Sequence, residues 1–519
     1  MRNALETEIL VIGCGVAGGV AALQLADSGI TVTAITRTQE PHESNTYYAQ
    51  GGIIYRGHDD SPELLAEDVI RAGVGHNNSQ SVDILAKQGP ALVQQILLGR
   101  VGVHFDQNGK GLSLTREGGH SIPRIIHAAD TTGRAISTAL IEALQQHPNV
   151  RLLSSYTAVD LLMSDRHVVG RLYDGPICLG AYLLDQETGE IVPCVAKRTI
   201  VATGGLGQLF MRSTNPKGAR GDGVAMAYRA GAQVKDMEFV QFHPTTFYHP
   251  QAWAFLISEA VRGAGARLVN AAGETFMDRY DPEWKDLAPR DVVSRSIHQE
   301  MVASGMPNVY LDLASYIAPD EIRRRFPNIY AQCLEFGVDI TQDLVPVSPA
   351  AHYSCGGVAV DAWSQTNITG LLAVGEVACT GLHGANRLAS TSLLEGVVWG
   401  YRAALNIRQY LNGRVLPRSA EIAPYPSDGL ALPDSSRLEQ MMEEVKCIMW
   451  HQVGLVRETD GLEQAHDRLK ALSREVEALY HQHRPTDQLS GLRNMVQVAS
   501  LITQAALEDT VGVGCHYRV

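Results

Sequence analysis

The sequence has few cysteines, and none of them lies close to another. Eight cysteines are scattered over 519 residues. No pair has the spacing of about two to four residues that is typical of zinc ligands and redox-active pairs. We therefore expect reduced, mostly buried thiols and no metal site.

Basic residues and long apolar runs are also scarce. The chain has 43 Lys and Arg against 56 Asp and Glu, a formal net charge of -13, whereas nucleic-acid binding requires a basic surface. No apolar run reaches the length needed to cross a membrane. The N-terminal segment lacks the basic start, apolar core and cleavage site of a signal peptide. The sequence thus predicts a cytoplasmic protein without nucleic-acid or membrane partners.

The remaining composition is that of an ordinary globular protein. Hydrophobic residues make up 45% of the chain and 49 residues are glycine. A chain of 519 residues exceeds the size of a single core, so we expect two or three domains. Because the net charge is negative, an anionic substrate would need a local cluster of arginine and histidine.

The N-terminal segment carries a glycine-rich fingerprint between two predicted strands. Residues 8–12 read as a buried parallel strand, a helix opens at Gly13, Gly15 and Gly18, and residues 31–35 read as a second strand. In such a unit the first glycine makes a tight turn, the second admits a pyrophosphate, and the third lets helix and strand pack closely. The helix N-terminus binds phosphate. The segment therefore predicts a dinucleotide site.

The end of the second predicted strand departs from this fingerprint. An acidic residue is expected there to hold the adenosine ribose, but Thr36 and Arg37 occupy the position. An arginine at this place also suits the 2′-phosphate of NADP. The other motifs favour FAD, so recognition of the ribose must depend partly on residues elsewhere.

Six further segments follow in a characteristic order. Together with the fingerprint they resemble the succinate dehydrogenase and fumarate reductase flavoprotein family, most closely its L-aspartate oxidase branch, over about residues 9–394. The segments are SNTYYAQGG (44–52), HAADTTG (127–133), VATGG (201–205), GDG (221–223), QFHPT (241–245) and GE (375–376).

The resemblance implies FAD as the cofactor. Respiratory members attach it covalently through a histidine in the Ser-x-Thr stretch, and Asn45 stands at that position, so we expect non-covalent FAD. The implied cofactor residues are Gly13, Gly15, Val16, Ala17, Gly18, Thr36, Arg37, Ser44, Asn45, Thr46, Ala49, Gln50, Gly51, Gly52, Ala202, Thr203, Gly204, Asp222, Gly375, Glu376, Arg387, Ser390, Ser392 and Leu393.

The fold class expected is α/β, with a Rossmann-like FAD-binding domain, an inserted α+β capping domain and a C-terminal helical bundle. The cofactor pattern is interrupted over 237–352, which predicts the cap, and leaves 1–236 and 353–415 as a discontinuous FAD-binding domain. Apolar residues at helical spacing within 416–519 predict helices at about 436–454, 462–482 and 487–507.

The borders of the predicted cap carry cationic and polar residues suited to a C4 dicarboxylate, because a guanidinium pairs with a carboxylate through two hydrogen bonds. By resemblance, Arg387 and His352 hold one carboxylate, and His243 with Thr245 or Ser258 holds the other.

The resemblance also assigns the proton-transfer groups. Arg290 is the implied acid and base, with Glu259 and Arg262 as its relay. Such a role requires exclusion of water and a nearby charge, because the pKa of arginine in water is above about 12. A structural ion pair between Arg290 and Asp291 is the alternative interpretation.

Glu117 is the residue that best separates the possible substrates. L-aspartate differs from succinate by an ammonium group, which a carboxylate beside the flavin would favour. The L-aspartate oxidase branch carries the run TREGGHS (115–121). The same glutamate in an exposed glycine-rich turn would have no such role.

The leading hypothesis is oxidation of L-aspartate to iminoaspartate, with O2 or fumarate as acceptor and quinolinate synthase as the recipient of the product, in the first step of NAD biosynthesis. A soluble fumarate reductase or succinate dehydrogenase is the alternative. A flavin-binding protein without activity is a third hypothesis, but it predicts the loss of at least one of His243, Arg290, His352 and Arg387, and all four are present. Either a monomer or a homodimer is compatible with the sequence.

Overall fold

A seven-stranded sheet forms the centre of the FAD-binding domain. The computed structural model describes residues 4–109, 111–170, 173–252, 255–411, 415–427 and 429–519. Strand Leu5–Ile12 pairs in parallel with Val32–Ile35 and with Ile191–Val201, as a Rossmann-like unit requires. The other strands are Val150–Leu153, Leu371–Ala373, Cys178–Asp185 and Tyr156–Met163, of which the last two are antiparallel to their neighbours.

One face of this sheet is covered by helices that pack unusually closely. Val16–Ala26 follows the glycine turn and lies against Thr391–Tyr410. A Cβ atom on Gly400 would lie 2.5 Å from the carbonyl oxygen of Ala17, so only glycine permits this crossing. Helices Pro62–Ala72, Ser79–Leu92 with its π-helical extension Val93–Arg100, and Thr132–Gln146 complete the layer.

The inserted segment builds a four-stranded antiparallel sheet with a core of its own. Phe247, Leu268, Ile297 and Leu311 are among its fully buried side chains. The sheet contains, in spatial order, strands Val240–Phe247, Val345–Ser354, Val309–Asp312 and Arg267–Val269. The helices are Glu259–Gly263, Met277–Tyr280, Arg290–Ser304, Pro319–Arg325 and Pro327–Glu335.

Three long helices form the C-terminal region, at Ser435–Gln452, Thr459–Gln482 and Asp487–Glu508. Their bounds agree with the apolar periodicity to within three residues. Their apolar faces share one core with the second face of the central sheet. The C-terminal helices therefore pack on the central sheet through a shared core.

Smaller elements connect these layers. Helix Asp222–Arg229 lies beneath the C-terminal helices. The remaining elements are strands Ile53–Ile54, Gln107–Asn108, Gly111–Leu112, Leu114–Thr115, Ile125–Ile126, Val234–Lys235, Gly357–Ala359 and Ala378–Cys379, helix Ser164–His167, and the short turns Gly207–Leu209, Lys285–Leu287, Gly375–Val377 and Ser419–Glu421.

The predicted fold class is confirmed by this architecture, whereas the domain boundaries stay predictions. All eight cysteines are free thiols, and only Cys447 is exposed. Within the described residues, no helix is both long and apolar enough to cross a membrane.

The shared core predicts that the C-terminal helices and the central sheet unfold together. Leu472 is fully buried in this core, and Leu472→Ala should lower the free energy of unfolding by about 2–5 kcal/mol. Far-UV circular dichroism and the fluorescence of bound FAD should report one coincident thermal transition. Leu432→Ala is the matched control, because the Leu432 side chain is 69% exposed. A flavin transition separate from the loss of helix would contradict the shared core.

Candidate active site

A long cavity runs from the glycine turn of the FAD-binding domain to the inserted cap. At one end it is lined by the glycine turn and the end of the second strand, including Thr36 and Arg37. At the other it is lined by His243, Ser258 and Arg290 from the cap. The cofactor and substrate residues predicted from the sequence therefore share one space.

The glycine turn has the geometry that the fingerprint predicts. Gly13 has a φ of +110°, and a Cβ atom there would lie 2.2 Å from the carbonyl oxygen of Ala202. A Cβ atom on Gly18 would lie 2.1 Å from the carbonyl oxygen of Gly13. Gly18 thus serves helix packing and does not line the cavity, whereas Gly15, Val16 and Ala17 line it. A backbone cradle of this kind fits a pyrophosphate.

The middle of the cavity presents polar atoms that have no protein partner. The side-chain Oδ1 of Asn45, Oε1 of Gln50 and Oγ1 of Thr203 are buried and make no hydrogen bond within the described part of the chain. Buried polar groups are rarely left in this state, so these atoms fit the polar edges of a bound FAD. Asn45 Nδ2 donates to Glu376 Oε2 over 2.7 Å, and burial raises the pKa of Glu376 to about 7.

Apart from Gly18, every predicted cofactor residue lines the cavity. Lining residues that the sequence reasoning missed include Thr157, Thr214, Asn215 and Tyr353. Thr157 lies on a strand far from the glycine fingerprint, and the other three lie outside the six motifs. No local pattern marks them, because their position depends on how distant strands pair.

Arg387 and His352 form a hydrogen-bonded pair at the substrate end. Arg387 Nη2 donates to His352 Nε2 over 2.9 Å, so His352 carries its proton on Nδ1 and donates it to Thr214 Oγ1 over 2.8 Å. Burial and the charge of Arg387 hold the pKa of His352 well below its usual range. Burial and the charge of Arg290 lower the pKa of Arg387 to about 10. Arg387 therefore sits as a buried cation whose protein partners are neutral, an arrangement that favours an anion.

His243 adds a second neutral ring, whose centroid lies 5.0 Å from that of His352. Its Nδ1 contacts the backbone of Thr245, and its buried Nε2 has no partner within the described residues. Burial and the surrounding arginine charges hold the pKa of His243 well below its usual range. The hydroxyl of Thr245 donates to the carbonyl of Ile257. Thr245 thus supports His243 from behind, while Ser258 lines the cavity.

Arg290 is held by Glu259 and not by its neighbour in sequence. Arg290 Nε donates to Glu259 Oε2 over 2.7 Å, whereas Asp291 pairs with Arg295 at 2.9 Å. The alternative interpretation of an Arg290–Asp291 ion pair is therefore wrong. Glu259 Oε2 lies 3.8 Å from Arg262 Nη2. Although burial opposes it, the charges of Arg290 and Arg262 lower the pKa of Glu259.

Glu117 is buried in the same cavity, so it does not stand in an exposed turn. Its Oε2 accepts a hydrogen bond from Ser390 Oγ over 2.7 Å. Burial and the charge of Glu259 raise its pKa. A Cβ atom on Gly51 would lie 3.1 Å from Glu117 Oε1. A cationic ligand group beside Glu117 would stabilise the ionised carboxylate.

Comparison with known sequence families agrees with this geometry. Residues 8–393 match the family described as FAD binding domain, and residues 442–519 match the one described as Fumarate reductase flavoprotein C-term. The phosphate cradle, the buried cations and these matches together define an FAD-dependent oxidoreductase.

Individual relatives show to which branch of this family the chain belongs. L-aspartate oxidase 1 of Ralstonia nicotianae is 43% identical over 99% of this chain and 95% of its own length. L-aspartate oxidase of Pseudomonas aeruginosa is 41% identical over 100% of this chain and 96% of its own length. The FrdA chain of E. coli quinol fumarate reductase superposes with a TM-score of 0.88 at 27% identity, covering 100% of this chain and 92% of that one. The chain belongs to the L-aspartate oxidase family.

Asn45 predicts that FAD is released intact when the protein is denatured. Asn45 lines the cavity where the resemblance implies a covalent histidine link in respiratory members of the family, and an amide cannot form that link. Acid precipitation of the purified holoenzyme should leave all the yellow colour in the supernatant, as measured by its absorbance. Colour retained in the washed pellet would show a covalent attachment.

Proposed function

We propose that the chain oxidises L-aspartate to iminoaspartate. The observation that carries this proposal is the buried Glu117 carboxylate, fixed by Ser390 in the cavity that also holds Arg290 and Arg387. A dicarboxylate alone needs cations, and an anion among them would repel it. An amino dicarboxylate has the ammonium group that such an anion matches.

The cavity offers a separate partner for each charged group of L-aspartate. Arg387 with His352 takes one carboxylate, and His243 with Ser258 takes the other. Both histidines are neutral, so they orient the substrate by hydrogen bonding. Glu117 takes the ammonium group. This division fixes the register of the carbon chain, which is what places one C–H bond for reaction.

When bound, FAD supplies the two-electron acceptor chemistry. The protein supplies the path for the proton. Arg290 is buried against Glu259, and Glu259 leads to Arg262, whose Nη1 donates to the carbonyl of Asp286. Asp286 is only partly buried. Arg290, Glu259 and Arg262 thus form a chain of proton-transfer groups that leads away from the cavity, and the Asp286 carbonyl fixes the position of Arg262 at its end.

The origin of the proton decides what Arg290 does. If the proton leaves Cβ, an N–H proton of Arg290 moves to Glu259 and the vacated nitrogen of Arg290 accepts the proton from Cβ. If the proton leaves the ammonium group, Arg290 orients a carboxylate.

We extend the proposal to the electron acceptor, the recipient of the product, the cellular location and the oligomeric state. O2 or fumarate reoxidises the enzyme, and iminoaspartate passes to quinolinate synthase in the first step of NAD biosynthesis. A cytoplasmic location and a monomer or homodimer belong to the same proposal.

Fumarate reduction is the second candidate, because the backbone superposes on that of E. coli quinol fumarate reductase. The pair of Arg387 and His352 suits fumarate as well as L-aspartate. Glu117 is the feature that this candidate leaves without a role.

Anaerobic mixing with candidate substrates tests the proposed function directly. L-aspartate should bleach the oxidised flavin band near its visible maximum, whereas D-aspartate and succinate should leave it largely intact. Stopped-flow absorbance is the measurement. Bleaching by succinate without bleaching by L-aspartate would refute the assignment in favour of the second candidate.

A Glu117→Gln variant tests the role of the carboxylate. We expect kcat/KM for L-aspartate to fall about 10- to 100-fold, the range for losing one charge-assisted hydrogen bond. Fumarate reduction by the same variant should persist, because fumarate has no ammonium group. Glu67→Gln, at an exposed position, is the matched control. Equal losses for L-aspartate and fumarate would mean that Glu117 does not recognise the amino group.

A further inference from the structure

Two arginines near the adenosine end of the cofactor site are held by a carboxylate from the C-terminal region. Arg37 Nη1 lies 3.3 Å from Asp487 Oδ2. Arg220 Nη1 and Nη2 donate to the two carboxylate oxygens of Asp487, each over 3.0 Å. Thr157 Oγ1 donates to Asp487 Oδ1 over 2.8 Å. Asp487 is thus shared by three groups that lie far from it in sequence.

The helix that begins at Asp487 presents one face to these groups. Asp487, Gly491 and Asn494 are spaced at i, i+4 and i+7, so they lie on the same side of the helix. Arg220 crosses this face at Gly491, where a Cβ atom would lie 2.3 Å from Arg220 Nη1. Asn494 Nδ2 donates to Asp222 Oδ1 over 2.8 Å. The face is therefore shaped to receive both Arg220 and Asp222.

Three partners of this face line the cavity, although Asp487 itself does not. Arg37, Asp222 and Thr157 are lining residues. Asp222 also accepts hydrogen bonds from Arg220 Nε and Nη2. In dinucleotide folds the end of the second strand faces the adenosine ribose, and an acidic residue there selects a 2′-hydroxyl. Here that strand end carries Arg37, and the acid that pairs with it, Asp487, comes from a distant part of the chain.

We infer that Asp487 takes the place of the missing acid as a positioning residue of the FAD site. By pairing with Arg37 it neutralises the cation that would otherwise attract a 2′-phosphate, and by pairing with Arg220 it fixes the segment that carries Asp222. The C-terminal helix thereby completes the adenosine end of the site and excludes 2′-phosphorylated nucleotides. This inference concerns the cofactor, so it does not rest on L-aspartate as substrate.

An Asp487→Asn variant separates this role from general packing. Stepwise dilution of the holoenzyme, with the fluorescence of released FAD recorded, gives the Kd for FAD. We expect that Kd to rise about 10-fold or more, as the loss of a charge-assisted contact implies. In competition with FAD, adenosine 2′,5′-bisphosphate should gain affinity relative to ADP in the variant, because Arg37 is left without its countercharge. Adding Arg37→Met should abolish that gain.

The matched control is Glu508→Gln, which removes one negative charge from the exposed far end of the same helix and should leave both readouts unchanged. An unaltered Kd for FAD in Asp487→Asn would overturn the inference. So would a weakened FAD site without any gain for the bisphosphate, or an equal loss in the control variant. Far-UV circular dichroism verifies that each variant is folded.

If Asp487→Asn does not fold, Gly491→Ala provides the second test. Alanine favours helix formation over glycine, so this change should not weaken the helix itself. The added methyl group must instead displace Arg220. We expect the same rise in the Kd for FAD, and an unchanged Kd in this variant would equally overturn the inference.

Discussion

The positive charges of Arg290 and Arg387, buried in the cavity, determine the hydrogen bonding and protonation of the groups around them. A buried cation is costly in free energy unless it is paired or hydrogen-bonded. The two arginines of the site, Arg290 and Arg387, have different kinds of partner. Arg290 is paired with Glu259, which leaves it poised beside a proton acceptor. Within the described part of the chain, Arg387 hydrogen-bonds to His352 and Ser392 and lies over the Tyr353 ring, all of them uncharged, so its charge remains available to an anionic ligand. Burial, together with the same arginine charges, holds the pKa values of His243 and His352 well below their usual range, so the two rings act as neutral hydrogen-bonding groups in a pocket already rich in charge.

Much of this structure follows from local pattern. The glycine fingerprint predicts the turn because each glycine meets backbone that no side chain would tolerate, and apolar periodicity gives the three C-terminal helices nearly to the residue. The resemblance places Arg290, Glu259 and Arg387 in one cavity, as the structure does.

What the pattern misses are contacts between distant segments. Gln241, fully buried, accepts from Arg290 and donates to Asn386 and to the carbonyl of Arg387, and although it opens the QFHPT motif (241–245), the motif does not reveal these three partners. Its role appears only when cap and FAD-binding domain are brought together.

Contacts between the predicted C-terminal domain and the rest of the chain are likewise absent from the local pattern. The apolar faces of the C-terminal helices belong to the same core as the central sheet, and their polar residues reach the adenosine end of the cavity. Arg37 and Asp487 lie 450 positions apart in the sequence and fall in different predicted domains. In the fold they form one ion pair. Linkage of this kind means that anything binding the folded cofactor site also stabilises the docking of the helices.

In the proposed function, selection of an amino acid over a plain dicarboxylate depends on the placement of one anion. Burial, and after it the charge of Glu259, raises the pKa of Glu117, so its ionised form is unfavourable until a cation arrives. Ser390 opposes this effect by donating to the carboxylate, from a backbone conformation with φ of +56° that a serine rarely adopts. An ammonium group offsets the same effect more fully, because it brings a whole positive charge into a site screened from water. A substrate without that group leaves the carboxylate with Ser390, the Gly52 backbone and the charge of Arg290, and the difference in electrostatic energy between the two cases is the basis of the discrimination that we propose.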